Sequence, residues 1–195
     1  LDDKGKPISS KVYKGQKPKN NTNEVKDMKM SDKGINWLKD KEDKILDKQG
    51  HHIIYDDKTR KPVVANEPLP RGATIGYGHL IKQGKNFRNG ISEAKATELL
   101  RADIAIAERA VRDNITVPLS QNQFDALVSL AYNIGTTNFS GSTVVKYINN
   151  SNFHSAEYQN LESAWKAWNR SQGSVSNGLI NRRQYEWNLY KNGIY

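Results

Sequence analysis

Ala73-Thr74-Ile75-Gly76-Tyr77-Gly78-His79-Leu80 is the stretch on which the reading of this 195-residue chain turns. As a strand it puts Ile75, Tyr77 and His79 on one face, and Thr74, Gly76, Gly78 and Leu80 on the other. A face made mostly of glycine lets another segment come close to the backbone. A tight hairpin strand packed on a helix accounts for the same pattern, and these eight residues alone leave both readings open. A glutamate upstream favours the first.

Ser31 or Asp32 can cap a helix that the periodicity carries from about Ser31 to Lys48. At roughly 100° per residue, Ile35, Leu38, Ile45 and Leu46 share an apolar arc. Glu42 falls in the middle of it, while Lys41, Asp43 and Lys44 point elsewhere. A carboxyl on an apolar face resists ionisation, which makes it a candidate general acid; a glutamate at the edge of that face, reaching out to a lysine, is the plainer alternative. After a turn at Gln49-Gly50-His51-His52, the β-prone run Ile53-Ile54-Tyr55 ends in Asp56-Asp57. A loop with three prolines then leads to Ala73. His51, His52, Asp56 and Asp57 do not read as a metal site, because adjacent histidines on a strand point to opposite sides and no HExxH-type spacing exists.

A helix bearing Glu42, then Tyr55-Asp56-Asp57, then Thr74-Ile75-Gly76-Tyr77-Gly78-His79, resembles the phage-type lysozymes, glycoside hydrolase family 24. The resemblance spans residues 31–195. It implies an α+β, lysozyme-like fold, with a small antiparallel sheet lobe and a mainly helical lobe joined by a long helix. The implied activity is hydrolysis of the β-1,4 bond between N-acetylmuramic acid and N-acetylglucosamine in peptidoglycan, with no cofactor and no metal. Carried over by motif, the catalytic set is Glu42 as general acid, Asp57 as the second carboxylate (Asp56 being the alternative), and Thr74 as the hydroxyl that holds the attacking water. Gly76, Tyr77 and Asn133 are the implied substrate-binding residues. The chemistry asks for these types: a glycosidic oxygen leaves poorly unless protonated, and an oxocarbenium-like transition state needs an ionised carboxylate nearby. Inversion, the family's outcome, implies carboxyls roughly 6.5–9.5 Å apart. The sequence departs from the family pattern in having Asp43 after Glu42 where glycine is usual, and in longer spacers between Glu42 and Asp57 and between Asp57 and Thr74.

Downstream, Ser92 caps a long helix to Asn114, with Ala96, Leu99, Leu100, Ile104, Ala107 and Val111 along one side. Asp103 matches the family position that pairs with the TIGYGH histidine, so the resemblance implies a structural His79–Asp103 pair. Ser120-Gln121-Asn122-Gln123 is a capping box, and the FDALVSLAYNIG run after it is apolar nearly all round, as in a buried helix stopped by Gly135. A shorter helix is expected within Phe139–Asn150 and another over His154–Asn169. Trp165 and Trp168 fit core positions there, although aromatics also stack on sugars. Gly178 to Gln184 resembles the family's closing motif, with Arg182 and Arg183 read as packing and helix-pairing residues.

Composition sets the outer bounds. The chain has a formal charge of +9, a pI near 9.6, 36% hydrophobic residues and no cysteine. These favour a polyanionic partner such as the bacterial wall, and leave no disulfide or thiolate chemistry. No apolar run approaches a membrane span. Residues 1–33 hold nine lysines against five acids and read, over 1–30, as a basic flexible arm before a catalytic domain at 31–195. The non-Met start fits the C-terminal domain of a larger wall-degrading protein, either a phage endolysin or a secreted antibacterial effector. Such a protein would be exported to the cell wall and monomeric. Its partners would be peptidoglycan and an immunity or inhibitor protein, and not nucleic acid. The rival readings are a basic wall-binding module that has lost catalysis, and a lytic transglycosylase, which needs only one acid.

Overall fold

The computed structural model describes residues 24–64, 66–82 and 86–195. Most of the expected basic arm, residues 1–23, lies outside the described residues. Its last part does not behave as an arm. Val25, Met28 and Met30 are buried, the Met30 amide donates to Glu108 at 2.8 Å, and Arg112 donates to the Met28 carbonyl. The apolar spacing of these three residues inside a lysine-rich run pulls the segment onto the domain.

Helix α1 runs from Asp32 to Lys39, capped by the Ser31 hydroxyl. It is half the expected length. The charged run Lys39 to Lys44 offers no continuous apolar face, and Ile45 and Leu46 belong to a different structure. The Ile53 amide donates to the Ile45 carbonyl, and Leu46 bridges His52 in an antiparallel turn. Leu46 is exposed. The helical arithmetic had joined two unrelated segments.

A three-stranded antiparallel sheet follows: β1 (Tyr55–Asp56), β2 (Ala73–Ile75) and β3 (His79–Leu80). Tyr55 pairs with Thr74, and Ile75 with His79. The opening stretch is therefore a hairpin rather than one strand. Gly76 and Gly78 turn it with φ of 67° and 88°, a region that residues with a Cβ rarely occupy.

Helix α2 (Glu93–Asn114), capped by Ser92, leads from the sheet into the helical lobe. There α3 (Gln121–Ile134), with its capping box on Ser120 and Gln123, is buried along most of its length. Around it lie α4 (Thr136–Ser140), α5 (Thr143–Asn149), α6 (Leu161–Lys166), a small hairpin of β4 (Arg170–Ser171) and β5 (Ser174–Val175), and α7 (Asn177–Asn192). Helix α3 packs against α2 and α7. The helix expected over 154–169 shrinks to α6, because Asn160 begins it by capping Ser163. None of the helices among the described residues is long and apolar enough to cross a membrane.

One buried carboxylate ties both ends of the described domain to α3. Asp125 Oδ1 accepts from the Ser31 amide at 3.0 Å and from Gln121 at 2.8 Å, and Oδ2 accepts from the Tyr195 hydroxyl at 2.7 Å and from the Ser31 hydroxyl at 2.5 Å. Gly34 faces that carboxylate so closely that an added Cβ would sit 2.5 Å from Asp125 Oδ2. Gly34→Ala should therefore destabilise the fold by about 1–3 kcal/mol, despite alanine's better helix propensity. Thermal melts check this; a stabilised variant would contradict the close approach.

Candidate active site

The two lobes enclose a cleft of about 1010 Å³. Glu42, Tyr55, Asp57, Gly78, His79, Asp103, Tyr132, Asn133 and Arg182 all line it. These come from the loop after α1, the sheet, α2, α3 and α7.

Glu42 sits just past the end of α1 and not on it. Its amide still donates to the Leu38 carbonyl at 3.1 Å, so the last helical turn fixes its backbone. The following residue is held from two sides: the Tyr55 hydroxyl donates to the Asp43 carbonyl, and Arg60 pairs with the Asp43 side chain. The glutamate's setting is an ion pair rather than an apolar face. Arg182 Nη2 lies 2.6 Å from Glu42 Oε1, with both side chains largely buried. The other oxygen, Oε2, faces Gly78, where an added Cβ would approach to 3.9 Å. When the acid is protonated, Oε1 must accept from Arg182, so the proton belongs on Oε2.

Arg182 is itself compensated. Its Nε lies 3.2 Å from Glu186 Oε1, and Glu186 is fully buried with Arg183, Ser129 and Trp165 around it. Burial disfavours the Arg182 charge, but the facing charges of Glu42 and Glu186 outweigh this and hold its pKa above the ordinary value. For Arg183 the balance goes the other way, and burial pulls it down. The sequence reading of this pair as packing residues missed the contact with Glu42. The only available signal was two adjacent arginines in a helix whose Glu186 lies four residues after the first.

The two aspartates separate. Asp57 lines the cleft. Asp56 turns into its own loop, accepting from the Thr59 amide at 2.7 Å, and that bond holds its pKa below the usual value. Thr74 is buried, with its hydroxyl 3.4 Å from the Tyr55 carbonyl across the strand pair. It therefore stands behind Tyr55 and not on the cleft wall.

Gly76 and Tyr77, expected at the substrate, are placed elsewhere. A Cβ on Gly76 would lie 3.3 Å from that of Ala96, so this glycine admits α2. The Tyr77 ring is buried and its hydroxyl donates to Glu93 at 2.8 Å. Burial and the Glu93 hydrogen bond push that phenol well above its ordinary pKa. Desolvation would raise the Glu93 carboxyl, yet donors from His52, Lys39 and Tyr77 outweigh it and bring its pKa to about 2. His52 is thus engaged in this brace under the sheet. His79 Nδ1 lies 2.8 Å from Asp103 Oδ2, linking β3 to α2. Asn133 lines the cleft, but its Oδ1 accepts from Arg183 at 2.8 Å, which leaves the amide NH2 for a ligand. Trp165 is wholly buried and donates to Glu186, whereas Trp168 reaches the cleft.

Against known families, the phage lysozyme model matches residues 60–186. The chain belongs to the phage lysozyme family. An endolysin of Bacillus phage B103 is 41% identical over 128 residues, which cover 65% of this chain and 46% of that protein. The endolysin of Salmonella phage P22 is 39% identical over 60% of this chain and 78% of its own length. Among solved structures, an endolysin of Escherichia coli O157:H7 phage FAHEc1 superposes with a TM-score of 0.63 at 32% identity, covering 87% of this chain and 97% of that one. The muramidase domain of SpmX from Asticaccaulis excentricus gives 0.58 at 28%, covering 84% and 98%. The alignments span about half the length of the Bacillus phage endolysins. The family match begins downstream of Glu42, Asp56 and Asp57. Those carboxylates are placed by geometry, whereas Thr74, His79, Asp103, Asn133 and Arg182 fall within the matched region.

Proposed function

We propose that this phage lysozyme is a muramidase that hydrolyses the β-1,4 bond between N-acetylmuramic acid and N-acetylglucosamine in peptidoglycan, acting at the bacterial wall. The observation that carries the reading is the pair Glu42 and Asp57 on the walls of one inter-lobe cleft, with Glu42 held by Arg182 through a single oxygen. Glu42 protonates the glycosidic oxygen from Oε2. Asp57, exposed at the hairpin end, orients the attacking water. Thr74, cross-strand from the cleft-lining Tyr55, braces the hairpin that carries Asp57 through its hydroxyl on the Tyr55 carbonyl. The cations Lys41, Arg60, Lys82 and Arg170 along the same cleft suit an anionic polymer.

Purified peptidoglycan digested by the full chain should yield reducing ends and no 1,6-anhydro ends by mass spectrometry. Anhydro ends would mean transglycosylation, and clearance no faster than that of Glu42→Gln would mean binding without catalysis. In the same assay Asp57→Asn should lose about 10²-fold or more in rate, while Asp56→Asn keeps most of it. Thr74→Ser should retain more rate than Thr74→Val. The reverse order for the aspartates would move the second carboxylate to Asp56.

A further inference from the structure

The buried run of α3 opens at its last turn, where Tyr132 comes partly to the surface and lines the cleft. Its hydroxyl crosses to the sheet lobe and donates to the Tyr77 carbonyl at 3.1 Å. That carbonyl is a fixed target: it lies in the turn between β2 and β3, and the side chain of its own residue is buried and held by Glu93. Burial, and then the charges of Glu42 and Asp103, push the Tyr132 phenol far above its ordinary pKa, against the opposing pull of Arg182. The hydroxyl keeps its proton, and that proton is committed to Tyr77.

A phenol whose proton is committed has an oxygen left only to accept. Among the described residues no donor reaches Tyr132 Oη. The space beside it is the gap over Gly78. Beyond its chain neighbours, a Cβ built on that glycine would meet just two atoms within 4 Å, Tyr132 Oη at 3.7 Å and Glu42 Oε2 at 3.9 Å. One comes from α3 and the other from the loop after α1, and Oε2 is the oxygen that carries the acidic proton. A glycosidic oxygen brought to Oε2 places the substituents of its two sugars against Tyr132 Oη.

Resting on the muramidase reading, we propose that Tyr132 Oη is a substrate-binding acceptor at the scissile linkage, taking a hydrogen bond from a sugar hydroxyl or acetamido N–H next to the oxygen that Glu42 protonates. It positions the linkage over Gly78 and takes no part in proton transfer. An acceptor with no free proton selects for a sugar that carries the donor, because removal of that donor leaves the phenol oxygen without its partner. A phenylalanine would give the same ring wall without that selection.

The test is calorimetric binding in a Glu42→Gln host, which holds the glycan without cutting it. The probes are three synthetic tetrasaccharides of alternating N-acetylglucosamine and N-acetylmuramic acid. One is the parent, one lacks the 3- and 6-hydroxyls of N-acetylglucosamine, and one has 2-O-acetyl esters in place of the acetamido groups of N-acetylmuramic acid. Adding Tyr132→Phe should weaken binding of the parent about fivefold. The probe without the accepted donor should bind the Tyr132 host about fivefold more weakly than the parent does, and Tyr132→Phe should cost it nothing further. Whichever probe behaves so names the donor as hydroxyl or amide. An equal loss on all three probes would show that the hydroxyl only holds the Tyr77 turn, and would overturn the proposal. So would an unchanged affinity for the parent, or no binding of it at all. Equal affinities of the Tyr132 host for the three probes would overturn it without any change at Tyr132. Absence of hydrolysis by the wild-type chain would sink the muramidase reading and leave this cycle intact.

Discussion

Glu42→Gln should lower the rate of glycan hydrolysis by roughly 10³-fold with the fold intact. Glutamine has nearly the same shape, and its carbonyl can take the hydrogen bond that Arg182 Nη2 gives to Oε1. What it cannot do is deliver an acidic proton from the atom facing Gly78. Stability should move little, because Arg182 keeps Glu186 as a counter-ion. A shift of about 1 kcal/mol, seen as roughly 2–4 °C in Tm, is the expected scale. Reducing-end release on peptidoglycan and a thermal melt of the same preparation separate the two effects. A residual rate within about tenfold of the wild type would remove Glu42 from the acid role, and a collapsed melt would turn the glutamate into a structural residue.

The sequence made much of the helical lobe legible because its signals are local. The Ser92 cap, the Ser120–Gln123 box and the all-round apolar run of α3 each need only a few neighbours, and all three sit as read. The sheet lobe was harder. Ile45 and Leu46 carried a helical period into a segment whose partners, Ile53 and His52, lie several residues on; periodicity cannot see a backbone pairing of that kind. Gly76 and Gly78 advertised close approach, but not of what. One admits α2 and the other faces Glu42. Glu42 itself was legible as an inward carboxyl, yet its partner lies 140 residues away. The identity of that partner depends on how α7 is rotated against α3. The motif put Asp57 ahead of Asp56, but the Thr59 amide that turns Asp56 into its own loop could not be read from it.

Glu186→Gln is expected to be the most destabilising of these substitutions, and its cost follows from what it leaves behind. The carboxylate is fully buried. It meets Arg182 Nε at 3.2 Å, Arg183 Nη2 at 3.0 Å, the Ser129 hydroxyl at 2.9 Å and the Trp165 indole at 3.1 Å. Arg183 Nε also lies 2.8 Å from its second oxygen, although that N–H is not aimed to make a hydrogen bond. Glutamine preserves the shape and removes the charge, so two buried guanidiniums then share one counter-ion, Glu42. Breaking a buried ionic set by removing one partner costs about 3–5 kcal/mol, or a Tm lower by roughly 10 °C at this chain length. A purely structural residue would do no more than that. Here the variant should also change the chemistry at temperatures where it remains folded. Arg182 is held from both sides by Glu42 and Glu186, so losing Glu186 frees its guanidinium to shift against Glu42 and should lower turnover per folded molecule about tenfold. Unchanged turnover in a folded Glu186→Gln variant would show that Arg182 is positioned without Glu186. A Tm loss below about 3 °C would show that water or a neighbouring group compensates the buried arginines.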